Sequence, residues 1–236
     1  MNKLPEILIL ESVGSTNTYL KELAKEDPTL KEFTTVLALS QTKGRGRMQR
    51  EWQSKEGETL CMSILLPQKG DSSITLLCAL GIYNALKQYI PEGLMIKWPN
   101  DILFSNKKLC GILCEGTSGF VVAGIGVNLN SLEFSKDIAH KATSLKLITD
   151  QEYSLSEVAV LIQSEIYKTL QDYNFTLTED AVKLYNSLCA NIGKEVKSEK
   201  LSGIAKGIDK SGALIIESEN KLFTINSGEV FVNGIY

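Results

Sequence analysis

Residues 59 to 67 read T-L-C-M-S-I-L-L-P, residues 72 to 90 read S-S-I-T-L-L-C-A-L-G-I-Y-N-A-L-K-Q-Y-I, and residues 95 to 98 read M-I-K-W. The first run, Thr59 to Leu66, alternates as a half-buried strand does and stops at Pro67, which lacks an N–H for a ladder. In the second, Ile74, Leu77, Cys78, Gly81, Ile82, Ala85, Leu86 and Tyr89 recur at i, i+3 and i+4, so a helix is predicted over Ser72 to Ile90 with that stripe in the core. The third reads as a strand, Met95 to Trp98, broken by the turn residues Pro99, Asn100 and Asp101. Strand, helix and strand in succession put the body of the chain in the α/β class.

Working outward, Ile7 to Leu10 is a short strand that enters a helix at Ser15-Thr16-Asn17, with Leu20, Leu23 and Ala24 on one face. Thr35 to Leu39 is a strand that delivers the chain into a basic loop. Ile102 to Phe104 and Leu109 to Glu115 make a hairpin turning at Ser105-Asn106-Lys107, and Phe120 to Leu129 is another strand. Ser154 to Tyr173 and Thr178 to Leu188 are amphipathic helices. After Gly193 short strands alternate with glycine-marked turns, the pattern of a small appended β-barrel. The division expected is residues 1–190 for the body and 191–236 for the appendage.

The chain's 236 residues suit one large domain with a small companion. Apolar residues are 43% and charged residues 22%, the balance of an ordinary folded protein. The net charge of −3 argues against a general nucleic-acid binder, which carries a basic surplus. Five cysteines without a C-x-x-C pair, and His140 as the single histidine, favour reduced thiols over disulfides or a zinc site, so no metal ligand is assigned. The N-terminus has no basic-then-apolar leader, and no apolar run reaches the ~20 residues of a membrane helix. A cytoplasmic protein without membrane or nucleic-acid partners is expected.

The basic loop, Q-T-K-G-R-G-R-M-Q-R-E-W at 41 to 52, sets Lys43, Arg45, Arg47 and Arg50 among small or polar residues. Gly44 and Gly46 admit φ > 0 and a close backbone approach to a ligand. Arginine forks suit phosphates and carboxylates, although a solvated basic loop has the same composition. Ser15, Thr16 and Asn17 either cap a helix or offer hydrogen bonds to a polar head group. Lys97, between Ile96 and Trp98, is expected to be partly enclosed and to need an anionic partner, unless it is a surface lysine. Gly111 leaves one strand face open for something packed on the backbone. Neither G-x-x-x-x-G-K-[ST] nor G-x-G-x-x-G occurs, so any nucleotide is held without a Walker loop or a dinucleotide fingerprint.

Taken together and in order, these stretches resemble the biotin–protein ligases. The family pattern is S-T-N, Q-x-x-G-R-G-R-x-G-R-x-W, K-W-P-N-D, K-x-x-G-I-L-x-E and G-I-G-[IV]-N-x-N. Here stand Ser15-Thr16-Asn17, the loop at 41 to 52, K-W-P-N-D at 97 to 101, K-L-C-G-I-L-C-E at 108 to 115 and G-I-G-V-N-L-N at 124 to 130. A-T-S-L at 142 to 145 and G-I-A-K-G-I-D-K-S-G-A-L at 203 to 214 also match. The resemblance implies a mixed sheet flanked by helices, then a C-terminal SH3-like barrel. With only fourteen residues before Ser15, the chain is similar to the monofunctional members that lack a DNA-binding domain.

The implied activity is ATP-dependent biotinylation of a lysine on a biotin carboxyl carrier protein, such as an acetyl-CoA carboxylase subunit, through biotinyl-5′-AMP, with Mg²⁺ arriving on ATP. The resemblance assigns Lys97, Arg45 and Arg47 to the two anionic reactants. Ser15, Thr16, Asn17, Gln41, Gly44, Gly46, Gly111 and Gly124 fall to the biotin site, and Trp52, Asn128 and Lys206 to the nucleotide. Asp101 and Lys108 would orient or deprotonate the acceptor lysine, or Asp101 would only shape its turn. Two positions depart from the pattern: Gln49 stands where glycine is usual, and Lys206 where arginine is common. The lipoate–protein ligases share this reaction logic but usually lack G-R-G-R. A homodimer through an exposed edge strand near residues 120 to 130 is allowed.

Overall fold

The computed structural model describes residues 4–68, 73–117, 119–199, 201–226, 228 and 230–235. Strand β1 (Ile7–Val13) leads into helix α1 (Thr16–Glu26), and β2 (Thr35–Gln41) leads into the basic loop. The strand, helix and strand read first in the sequence are β3 (Thr59–Pro67), α2 (Ile74–Lys87) and β4 (Leu94–Lys97); Ser72 lies outside the described residues. The hairpin β5 (Asp101–Phe104) and β6 (Lys107–Gly116) turns on Ser105 and Asn106, with φ 49° and 64°. Two left-handed residues in succession are what a two-residue turn needs to match the strand twist. Strand β7 (Phe120–Asn128) completes a seven-stranded sheet in the order β1-β2-β3-β7-β6-β5-β4. The β1–β2 pair is parallel and the other pairs are antiparallel, so the sheet is mixed as expected.

Two expectations about single strands fail. The residues of β3 do not alternate between core and solvent: all nine are buried. Strand β3 sits inside the sheet, with α1 against one face and a later helix against the other, so both faces are covered. Strand β7 is not an edge. It pairs with β3 on one side and β6 on the other, its backbone groups are spent on both neighbours, and the sheet's edges are β1 and β4.

Three helices follow: α3 (Leu145–Thr149), α4 (Leu155–Asp172) and α5 (Glu179–Leu188). Ser144, Ser154 and Thr178 cap them, each hydroxyl accepting a backbone N–H three residues on. Helices α2 and α4 close over one face of the sheet and meet at Gly81, where a Cβ would lie 2.8 Å from the Ile166 Cα. One continuous apolar core joins those helices to the sheet, and a smaller cluster of Leu20, Val36, Leu65 and Val122 lies under α1 on the opposite face.

Beyond α5 come β8 (Glu195–Lys197), β9 (Ser202–Ile208), β10 (Leu214–Ser218), β11 (Lys221–Ile225) and β12 (Phe231–Val232). They form an antiparallel sheet in the order β11-β10-β9-β8-β12. The five strands of the expected barrel are thus an antiparallel sheet, and among the described residues no β11–β12 pairing closes it. Trp98 stitches this unit to the body: its indole Nε1 donates to the Gly212 carbonyl at 3.0 Å, and its backbone N–H donates to Asn191 Oδ1 at 2.8 Å. Among the described residues no helix is long and apolar enough to cross a membrane, and the five cysteines are free thiols.

Candidate active site

The pleat of β7 sends Ala123, Ile125 and Val127 into the helix-covered core and leaves Gly124, Gly126 and Asn128 on the other face. Strand register extends that face sideways. Cys61, Gly126, Gly111, Asp101 and Lys97 stand opposite one another in a single row across β3, β7, β6, β5 and β4. In the adjacent row Ser63, Gly124 and Leu113 face one another.

The glycines of these rows are seats for the protein's own side chains. A methyl group on Gly126 would fall on the Trp52 indole, and one on Gly124 would fall on the Asn17 amide. One on Gly111 would come within 3.0 Å of both Trp52 Cζ3 and Lys108 Nζ. The open faces expected at Gly111 and Gly124 are thus occupied. Lys108 Nζ also lies 5.5 Å from the centre of the Trp52 ring, a cation–π contact.

At one end of the rows α1 begins. Ser15 opens the helix, but its hydroxyl caps nothing; Gln41 does so from β2, its Oε1 accepting from the Thr16 N–H at 2.8 Å and from Thr16 Oγ1 at 3.1 Å. Buried Ser63 has its Oγ 2.6 Å from Asn17 Oδ1 and 2.7 Å from Thr16 Oγ1. Asn17 Nδ2 donates to the Leu113 carbonyl and, at 2.7 Å, to Glu115 Oε2, whose other oxygen is 3.0 Å from Lys21 Nζ. Burial alone would raise the Glu115 carboxyl, but the bond from Asn17 and the Lys21 ammonium outweigh it, so it is held below the usual glutamate value. Ser63 and Glu115 were not singled out from the sequence. Ser63 is detectable as the one hydroxyl in the run L-C-M-S-I-L-L, and Glu115 closes a matched motif. Burial pushes the Cys61 thiol up to about 11 against hydrogen bonds from Ser54, Gln41 and Trp52, so it stays protonated at neutral pH.

The basic loop is a hairpin of its own. The Trp52 N–H donates to the Gly44 carbonyl, Arg45 bridges to Glu51, and the Gly46 N–H donates to the Arg50 carbonyl at 2.7 Å. Positive φ falls at its tip, on Met48 (54°) and Gln49 (61°), and not on Gly44 or Gly46. The position that departs from the family's glycine is therefore one where the backbone is left-handed, which an L side chain disfavours. Gly44 is needed because a Cβ there would meet the Trp52 carbonyl at 2.5 Å. Arg45 Nη2 donates to Thr18 Oγ1 at 2.8 Å. Arg47 donates to Asn100 Oδ1 at 3.1 Å and to the Gly228 carbonyl at 2.9 Å. The loop thus ties together α1, the Pro-Asn-Asp turn and the C-terminal sheet.

These elements enclose a cavity of about 980 Å³. Ser15, Thr16, Asn17 and Gln41 line one end, Arg45, Gly46, Arg47 and Trp52 come from the loop, and Gly111, Gly124 and Asn128 lie in the sheet. Lys97, Asp101 and Lys108 also line it, with Asp101 Oδ1 2.7 Å from Lys108 Nζ. Asn128 Nδ2 donates to the Thr143 and Lys108 carbonyls and so knits the far wall. Two expected residues are not brought in. Gly44 packs inside the loop hairpin. Lys206, on an exposed face of β9, lies 2.9 Å from Glu217 across the strand pair. No cluster of three or more metal-ligating side chains occurs among the described residues. The arrangement suits two anions meeting on a sheet beneath a cationic loop.

Comparison with known proteins agrees. The family described as "Biotin/lipoate A/B protein ligase family" matches residues 9–130, and that described as "Biotin protein ligase C terminal domain" matches residues 192–232. A biotin–[acetyl-CoA-carboxylase] ligase of Paracoccus denitrificans is 31% identical over 96% of this chain and 100% of its own. The bifunctional ligase/repressor BirA of Bacillus spizizenii is 31% identical over 95% of this chain and 73% of its own. Biotin protein ligase from Aquifex aeolicus, solved in complex with biotin and ATP, superposes with a TM-score of 0.86 at 30% identity, over 98% of this chain and 99% of that one. The chain belongs to the biotin/lipoate protein ligase family. Within that family it groups with the biotin–protein ligases.

Proposed function

We propose that this cavity activates biotin with ATP and passes the biotinyl group to a lysine of a biotin carboxyl carrier protein. The observation that carries the reading is the convergence of Lys97, Arg45 and Arg47 on one cavity whose far end is a hydrogen-bonded polar network. In the first step a carboxylate oxygen of biotin attacks the α-phosphorus, the bond to the β-phosphate oxygen breaks, and pyrophosphate leaves. Both reactants are anions, so positioned cations and exclusion of water supply most of the catalysis. Lys97 lies between the carboxylate and the α-phosphate, and Arg45 and Arg47 hold the phosphates while the loop keeps water from the anhydride. Thr16, Asn17 and Gln41 take the ureido end of biotin, with Ser63 and Glu115 fixing Asn17. Trp52 and Asn128 flank the nucleotide.

In the second step the neutral lysine amine attacks the biotinyl carbonyl carbon, the C–O bond to the phosphate breaks, and AMP leaves as the amine loses a proton. Asp101, charge-paired with Lys108, orients the incoming amine. Mg²⁺ enters as part of the ATP substrate, held by phosphate oxygens and water. Residues 1–190 form the catalytic unit and 191–236 the C-terminal one, a division supported by the interval between α5 and β8.

Incubation with biotin, MgATP and an unmodified carrier domain should add one biotinyl mass to the carrier, and lipoate should not replace biotin. Lys97→Ala should lower biotinyl-adenylate formation at least about tenfold, or ~1.4 kcal/mol. Unchanged turnover would remove Lys97 from the chemistry.

A further inference from the structure

Two large apolar side chains stand in solvent at the rim of the cavity, one from each unit. Met48, at the tip of the loop, is 63% exposed, and Phe231, on β12, is 60% exposed; both line the cavity. Between them Arg47, next in sequence to Met48, donates to the Gly228 carbonyl, three residues before Phe231. That bond fastens the loop tip to the segment that leads into β12 and Phe231. Met48 is mostly exposed, yet its backbone is in the left-handed region, at φ 54°. A strained residue that presents an apolar group to water points to a surface that another molecule covers.

We propose that Met48 and Phe231 form a two-sided apolar clamp that receives the carrier domain around its acceptor lysine. The inference rests on the reading above that the second substrate is a protein amine. The residues given above to biotin and ATP do not include Met48 or Phe231. The acceptor amine must reach the carbonyl beside Lys97, and a single lysine side chain is short. The backbone that bears the lysine, with its neighbouring residues, must therefore be brought to the mouth, where it meets Met48 and Phe231. Methionine's unbranched thioether adapts to an irregular partner surface, and phenylalanine offers a rigid apolar area.

The test uses Met48→Ser, Phe231→Ser and the double variant in the full chain, with three readouts. Biotin-dependent ATP–pyrophosphate exchange and transfer from the adenylate to hydroxylamine should stay within about twofold of wild type. KM for an unmodified biotin carboxyl carrier domain should rise about tenfold per substitution, the loss expected of an interface anchor, with kcat little changed. Met48→Leu, which keeps the apolar volume, should keep the wild-type KM. An unchanged carrier KM in the double variant overturns the clamp. So does a parallel fall in pyrophosphate exchange, which would put these residues in the small-substrate site. A loss of self-association in sedimentation with carrier KM intact would assign the rim to a second copy and also overturn it. Absence of exchange in the wild-type protein would overturn the underlying reading, and the clamp with it.

Discussion

The two faces of β7 differ in what fills them. On the face toward α2 and α4, Ala123, Ile125 and Val127 are buried among apolar side chains. On the other, Gly124 and Gly126 carry no side chain, and Asn17 and Trp52 lie directly on the backbone. Adjacent residues of one strand therefore serve different ends. The first face stabilises the fold by taking apolar area out of water. The second spends strand positions on seats for groups that come from α1 and the loop, and gains geometry in place of area. Substitutions on the first face should lower stability, and those on the second should lower function.

Val127→Ala tests the first half. It should cost about 1–3 kcal/mol in urea unfolding through lost burial and a residual cavity, while biotin affinity of the folded fraction stays the same. Gly126→Ala tests the second. Its Cβ would overlap the Trp52 ring, so the indole must shift, and biotin and ATP binding should weaken about tenfold, or ~1.4 kcal/mol, at nearly unchanged thermal stability. Calorimetric titration beside a melting curve separates the two outcomes; a Gly126→Ala protein that binds normally would show that Trp52 has no fixed seat. Arg47→Ala removes the bonds to Asn100 and Gly228 that hold the loop down. Release of biotinyl-adenylate, followed by stopped flow, should speed up about fivefold, or ~1 kcal/mol, and an unaltered rate would refute the closing role of the loop.

The smallest effect concerns Glu115. Its folded carboxyl is held below its ordinary value of 4.5, so its contribution is full above that pH and disappears as pH falls through the lowered folded value. Glu115→Gln should melt slightly below wild type at pH 7, and the two melting curves should converge as the medium is acidified past that range. Curves that stay parallel would mean that the Asn17–Glu115–Lys21 link does not depend on charge.

Much of this was legible in the sequence, for reasons tied to particular residues. The helical stripe from Ile74 to Leu86 and the amphipathic faces of the two later helices are local signals: α4 and α5 start and stop within one residue of the expected bounds, and α2 ends at Lys87, three residues before Ile90. Helix α3 was not anticipated, because five residues are too few to display a period. The row from Cys61 to Lys97 was invisible, since its five members come from five strands whose register is set by pairing. Lys206 was grouped with the site because its motif is contiguous in sequence, whereas the pleat of β9 places its side chain beside Glu217. The left-handed positions in the basic loop fell on Met48 and Gln49 because closure of the hairpin between Gly44 and Trp52 sets the backbone there, and the glycines were free to serve close packing instead.

The sequence by itself determined the order of the longer strands and helices, the local turns, and the inventory of cations and small polar groups available to a site, because each depends on side-chain periodicity or on residues within a few positions. Only the tertiary structure decided that β7 is central, that Asn17 and Trp52 occupy the spaces over Gly124, Gly126 and Gly111, and that Arg47 spans to Gly228. Those outcomes depend on which backbone groups pair across the sheet and on which side chain reaches a vacant Cβ position first, and both are properties of chain segments far apart in sequence.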